Sequence, residues 1–124
     1  MQVIQTPNAP AAIGPYSQAV RCGDLLYLSG QVGLKPGDKA PVSGDAAQQA
    51  KQALANVDAV LTAAGMSKSN IVKVTIYATD MAYFAPVNAV YAAFFTPPYP
   101  ARVFVAVKAL PAGALVELEA IAHA

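Results

Sequence analysis

Arg102-Val103-Phe104-Val105-Ala106-Val107-Lys108-Ala109, then the turn residues Leu110-Pro111-Ala112-Gly113, then Leu115-Val116-Glu117-Leu118-Glu119-Ala120-Ile121-Ala122 form the stretch that decides the fold. Both flanks have the length and the apolar, partly β-branched content of strands, which predicts two strands joined by a turn. Charge is scarce here and in the chain as a whole: Arg21 and Arg102 are the only arginines, Glu117 and Glu119 the only glutamates. If the strands pair antiparallel across the turn, the start of the first lies beside the end of the second. Arg102 and Glu117 then need not sit opposite each other, yet can still line one pocket. A guanidinium that stays charged and forks to fit a carboxylate, set near a carboxylate of its own, suits a small anionic substrate and a water. The same two residues also suit a simple ion pair at a strand end or a subunit interface, and the residues alone leave that alternative open.

Upstream, Phe84, Val87, Asn88, Tyr91, Phe94 and Phe95 mark a helix entered near Pro86 and ended by Pro97-Pro98. Asn88 is the lone amide on that aromatic stripe, either a bonded core amide or a ligand contact. Ile71 to Thr79 alternates, predicting a strand with Val72, Val74, Ile76 and Ala78 on its apolar face. Asp45 followed by Gln48 gives a capping-box pattern, and Ala50, Leu54, Val57, Leu61 and Ala64 recur at helical spacing until Gly65. Nearer the N-terminus, Val3 to Gln5 reads as a short strand, and Ala19 to Cys22 with Leu25 to Ser29 as a hairpin turned by Gly23-Asp24. Tyr16, at the end of a proline-rich loop, either covers a cleft or is an ordinary packed tyrosine. Ser29-Gly30 places a small polar residue beside a glycine that lets backbone approach a ligand. It is not the strained Gly-x-Ser-x-Gly nucleophile turn, because Tyr27 stands where the first glycine is needed.

The order strand, strand, strand, helix, strand, helix, strand, strand predicts an α+β domain spanning 1–124, a mixed sheet with two helices on one face. Val103, Val105 and Val107 point to one side of their strand and Arg102, Phe104 and Ala106 to the other. Both sheet faces therefore carry apolar groups and only one has helices to cover it. A symmetric homo-oligomer with sites between subunits answers that imbalance. So does the composition, 56% hydrophobic and 12% charged in 124 residues. A net charge of +1 with dispersed cations gives no basic face for nucleic acid. One cysteine, Cys22, excludes an intrachain disulfide framework, and no His or Cys cluster has metal-ligand spacing. The start lacks a signal-peptide pattern and no segment is apolar enough to span a bilayer, so a cytoplasmic location is expected.

Gly14-Pro15-Tyr16-Ser17-Gln18-Ala19-Val20, Ser29-Gly30-Gln31, Asn56, Asn88 with Tyr91 and Phe94-Phe95, Pro100-Ala101-Arg102, and Leu110-Pro111 leading to Val116 through Ala122 stand in order along the chain. Together they resemble the RidA (YjgF) family, the reactive intermediate deaminases, over nearly the whole sequence. The resemblance implies a chorismate-mutase-like fold assembled as a homotrimer with clefts between subunits. It implies hydrolysis of 2-imino acids and enamines, such as 2-iminobutanoate and 2-iminopropanoate, to 2-oxo acids and ammonia, without metal or cofactor. Arg102 matches the arginine that holds the substrate carboxylate, and Glu117 the glutamate that positions the attacking water. Tyr16, Ser29, Gly30 and Asn88 fall in the lining of the same cleft. Phe104 departs from the pattern, since many hydrolytic members carry Cys, Thr or another small residue there; a ring at that point narrows the pocket or favours apolar substrates. Two other functions stay in view: ribonuclease or translation-inhibitor activity, which a lone, next-to-last His123 serves poorly, and a small-ligand-binding or chaperone-like trimer without chemistry.

Overall fold

The computed structural model describes residues 1–124. Its elements are β1 (Gln2–Ile4), β2 (Ala19–Cys22), β3 (Leu25–Val32), α1 (Ala46–Ala63), β4 (Ile71–Ala78), α2 (Phe84–Phe94), β5 (Ala101–Ala106) and β6 (Val116–His123). The expected element order and the mixed α+β sheet are both present. The six strands form one sheet in the order β1-β2-β3-β6-β4-β5.

The expected hairpin of β5 with β6 does not form. β4 lies between them, parallel to β5 and antiparallel to β6. The reason is the helix that precedes β5: α2 carries the chain back along the sheet, so β5 adds beside β4 in the same direction, as a crossover unit requires. β6 then fills the gap between β3 and β4, antiparallel to both. Paired on both edges, it buries Val116, Leu118, Ala120 and Ala122 beneath the helices. β5 is left as an edge strand.

The alternation expected for β4 is shifted at its start. A bulge at Ile71/Lys73 turns Ile71 inward and leaves Val72 48% exposed, while Val74, Ile76 and Ala78 stay in the core. The core fills the layer between sheet and helices, with Leu26, Ile76, Leu118 and Val116 from the strands meeting Val57, Val60, Leu61 and Val87.

α1 starts where Asp45 accepts from the Gln48 N–H at 2.9 Å. The other half of the capping box is missing, because the Asp45 N–H donates to Ser43 Oγ instead. The helix stops before Gly65, whose φ of 73° is the left-handed conformation a helix end favours. Arg21 closes that end by donating to the Ala64 carbonyl at 3.2 Å. Pro86 sits in the first turn of α2, where the missing N–H has no intrahelical acceptor to lose.

Three buried amides hold loops to this frame. Gln18 accepts from the Thr6 N–H at 2.7 Å and donates to the Pro10 carbonyl at 2.8 Å, closing the N-terminal loop. Gln49 joins the Ser43 carbonyl to the Leu115 N–H. Asn56 donates to the carbonyls of Val32 and Leu34, fixing the chain as it leaves β3. Each satisfies backbone groups that burial would otherwise leave unpaired.

At the same junction Gly33 lies flat on α1: a Cβ there would fall 2.6 Å from Gln49 Cα and from its carbonyl oxygen. Backbone cannot yield as a side-chain tip can. Gly33→Ala is therefore expected to lower stability by about 1–3 kcal/mol, seen as a lower urea midpoint at unchanged slope. An unchanged midpoint would show that α1 is free to shift off β3.

Candidate active site

The first cluster is built on the broken register of β3. Pairing with β6 slips between Leu28/Ala120 and Gln31/Leu118, so Ser29 and Gly30 together face a single β6 residue. Into that bulge folds the Glu117 side chain. A Cβ on Gly30 would lie 2.8 Å from Glu117 Cδ and closer still to Oε1, so only glycine leaves room for the carboxylate. Burial raises the pKa of Glu117 above the ordinary carboxyl value, and the neighbouring Glu119 raises it further. Glu119 is itself engaged, accepting from the Tyr77 hydroxyl at 3.1 Å.

Ser29 ties this cluster to the N-terminal loop. Its N–H donates to the Gln18 carbonyl at 2.9 Å and its hydroxyl to the Ser17 carbonyl at 2.6 Å. Tyr16, just before them, is 50% exposed, with its hydroxyl accepting weakly from the Ile13 N–H at 3.4 Å. It is a surface residue on an anchored loop rather than a packed one.

The second cluster lies on β5 and α2. The Arg102 guanidinium carbon sits 4.8 Å from the Tyr91 ring centre, 5.7 Å from Phe104 and 5.8 Å from Phe84. Three rings thus hold it by cation–π attraction. Two buried polar atoms on this face of α2 have no hydrogen-bond partner: Asn88 Oδ1, four residues after Phe84 and three before Tyr91, and the Tyr91 hydroxyl oxygen. Burial pushes the Tyr91 hydroxyl up to about 12 against the opposing pull of Arg102, so it stays protonated at neutral pH. No group of three or more His, Cys, Asp or Glu side chains is placed to hold a metal ion.

The two clusters do not meet within one chain. Arg102 is registered beside Val74, which faces the helices, and contacts α2. Glu117 is opposite Tyr77, on the face that the helices leave bare. Cross-strand partners share a face, so Arg102 and Glu117 project from opposite sides of the sheet. The pocket expected to hold both is therefore not formed by β5 and β6 of a single subunit. Tyr16, Ser29, Gly30 and Glu117 belong to one cluster; Asn88, Arg102 and Phe104 belong to the other. Sequence reasoning gave Phe84 only a place on the helix stripe. Its signal was available in retrospect, as an aromatic at the first turn of the helix that delivers the chain to Arg102.

Comparison with known proteins places this arrangement in a family. The family model described as Endoribonuclease L-PSP matches residues 6–124. A RutC family protein, y4sK, of Sinorhizobium fredii is 49% identical over 98% of this chain and 96% of its own length. The 2-iminobutanoate/2-iminopropanoate deaminase of Mus musculus is 50% identical over 98% of this chain and 90% of its own. The crystal structure of RidA from an Antarctic Psychrobacter superposes with a TM-score of 0.96 at 44% identity, each chain covered in full. The chain belongs to the Endoribonuclease L-PSP family, the RidA/YjgF group.

The raised Glu117 pKa has a consequence for stability. The folded state holds this proton more tightly than the unfolded chain, so ionising Glu117 works against folding as pH rises from 4.5 through the raised folded value. The stability difference between Glu117→Gln and the parent should therefore shift in favour of the variant across that window. Urea midpoints of both proteins, taken at matched pH values, test this; a constant difference would mean that the carboxylate is not desolvated.

Proposed function

We propose that this protein hydrolyses reactive 2-imino acids and their enamine tautomers, including 2-iminobutanoate and 2-iminopropanoate, to 2-oxo acids and ammonia. The sites would lie between the subunits of a homotrimer. The observation that carries this reading is the separation of the two clusters: a cation held by rings on one face, and a desolvated carboxylate on the other. Each lacks what the other supplies. The bare face also presents Tyr27, Val103 and Val105, 42%, 42% and 38% exposed, as apolar surface that assembly would cover. The family membership and the deaminase among its relatives at 50% identity support the chemistry.

In this scheme Arg102 forks the substrate carboxylate, which fixes C2 in the cleft. Glu117 of the neighbouring copy accepts a proton from water as the oxygen bonds to C2 of the iminium, and the C=N π electrons move to nitrogen, giving a neutral carbinolamine. The carbinolamine then collapses: Glu117 returns its proton to the amino nitrogen, the C–N bond breaks with its electrons leaving on ammonia, and C=O forms as the hydroxyl proton passes to the freed Glu117 carboxylate and from there to the departing ammonia. A carboxyl that burial makes hold its proton more tightly than usual is suited to both transfers. Ser29, with its own proton given to Ser17, presents an acceptor to the iminium N–H. Asn88 would face the same cleft from the Arg102 side and Tyr16 would close it from its loop. Only side chains and one water take part.

The test couples threonine dehydratase to semicarbazide trapping. The protein should lower the semicarbazone yield, Arg102→Ala should lose about 10²-fold or more in activity, and Glu117→Gln about 10²–10⁴-fold. Equal behaviour of parent and variants would favour ligand binding without chemistry, and RNA cleavage that persists in both variants would favour a nuclease. Co-refolding the two variants tests the shared site. With half the subunits of each kind, a site draws an intact Arg102 and an intact Glu117 with probability one half each, so about a quarter of the parent activity should return. No recovery in a mixed oligomer would place both residues in one subunit's site.

A further inference from the structure

The rings around Arg102 do more than hold it. Tyr91, 5% exposed, is the floor on which the guanidinium rests. Phe84 and Phe104 stand beside it with centroids 5.0 Å apart and planes at 72°, an edge-to-face pair that fixes both rings. Phe84 is 40% exposed and Phe104 is half-buried, so this pair presents apolar surface to the space next to the guanidinium. Phe104 is two residues beyond Arg102 on the same side of β5, about 7 Å along the strand. The Phe104 ring centre itself is 5.7 Å from the guanidinium carbon, so the side chain on C2 of an acid forked by Arg102 extends alongside the ring.

We propose that Phe84 and Phe104 form a specificity wall that selects imino acids by side chain, favouring branched aliphatic or aromatic groups over methyl. The inference rests on the hydrolytic function above and names its substrate class. A wall and a plug make opposite demands: a ring closing the cleft would reject large side chains, whereas an exposed face accepts them and gains from their burial. In the single chain Phe84 is 40% exposed beside the guanidinium, so the pair offers an open face there rather than a ring packed over the fork. Each methylene buried on it is worth about fourfold in binding.

Imines made in place from alanine, leucine and phenylalanine by an L-amino-acid oxidase, with catalase present, provide the substrates. Their hydrolysis is read against semicarbazide trapping. The parent should show kcat/KM about tenfold or more higher for the leucine- and phenylalanine-derived imines than for the alanine-derived one. Phe104→Ala should flatten that ratio to within about twofold, and Phe84→Leu should reduce it for the aromatic substrate. A ratio is insensitive to the folded fraction, so a partly misfolded variant still reports. Calorimetry with pyruvate and 4-methyl-2-oxopentanoate measures the same preference without catalysis. Graded binding with no hydrolysis of any imine would overturn the deaminase function and keep the wall. Hydrolysis of all three with equal kcat/KM and equal product binding would overturn the wall and keep the function. A preference for the alanine-derived imine that Phe104→Ala reverses would show the ring to be a plug.

Discussion

Side chains alternate along a strand, so once β6 is hydrogen-bonded between β3 and β4 with Tyr77 opposite Glu117 and Leu118 opposite Ile76, the faces are assigned throughout. The helix face takes Val116, Leu118, Ala120 and Ala122; the bare face takes Glu117 and Glu119. The parallel register of β5 against β4 then commits Arg102 and Phe104 to the helix side and Val103 and Val105 to the bare side. A slip of one residue in β6 would drive Glu117 and Glu119 into the core, and one in β5 would turn Arg102 and Phe104 away from α2. The core therefore enforces the register, and the register positions the two clusters.

Rigid positioning of those clusters falls to residues whose own chemistry is spent on the backbone. Gln18 holds the loop that carries Tyr16, and Ser29 closes the same loop from the β3 side. Asn56 and Gln49, both on α1, tie to that helix the chain leaving β3 and the chain entering β6. The glycines divide the work: Gly30 makes room for a carboxylate, and Gly33 for the backbone of α1. Motif residues in this family-like pattern thus include several that shape the site without facing it.

Most of the architecture is legible in the sequence because its periodicities are clear: the spacing of Leu54, Val57 and Leu61 on α1, the alternation of Val74, Ile76 and Ala78, and proline and glycine at the element ends. Strand order is not legible in the same way. Nothing local in Leu110 to Gly113 reveals that the chain crosses the end of β4 rather than turning back on β5; that outcome depends on where α2 delivers β5. Val72 was misplaced for a related reason, since a one-residue bulge leaves no mark on the alternation before it occurs. The charged residues of the candidate site stand out by rarity alone, and the aromatic surroundings of Arg102 needed the packing of α2 on β5 to become visible.

Placing the cation and the acid on opposite faces also solves an electrostatic problem. A guanidinium and a carboxylate held about 4 Å apart attract by about 4 kcal/mol at an effective dielectric of 20. Such a pair would occupy the guanidinium fork and would hold Glu117 ionised by lowering its pKa. Here the charge acting on Glu117 is Glu119, which raises it, and Arg102 is compensated by the π faces of three rings that leave its N–H edge unspent. Rings attract a cation without consuming its hydrogen bonds, which a carboxylate cannot do. A sheet that separates the two groups leaves each without an ionic partner in the chain, the guanidinium resting on rings and the carboxylate set beside a second carboxylate.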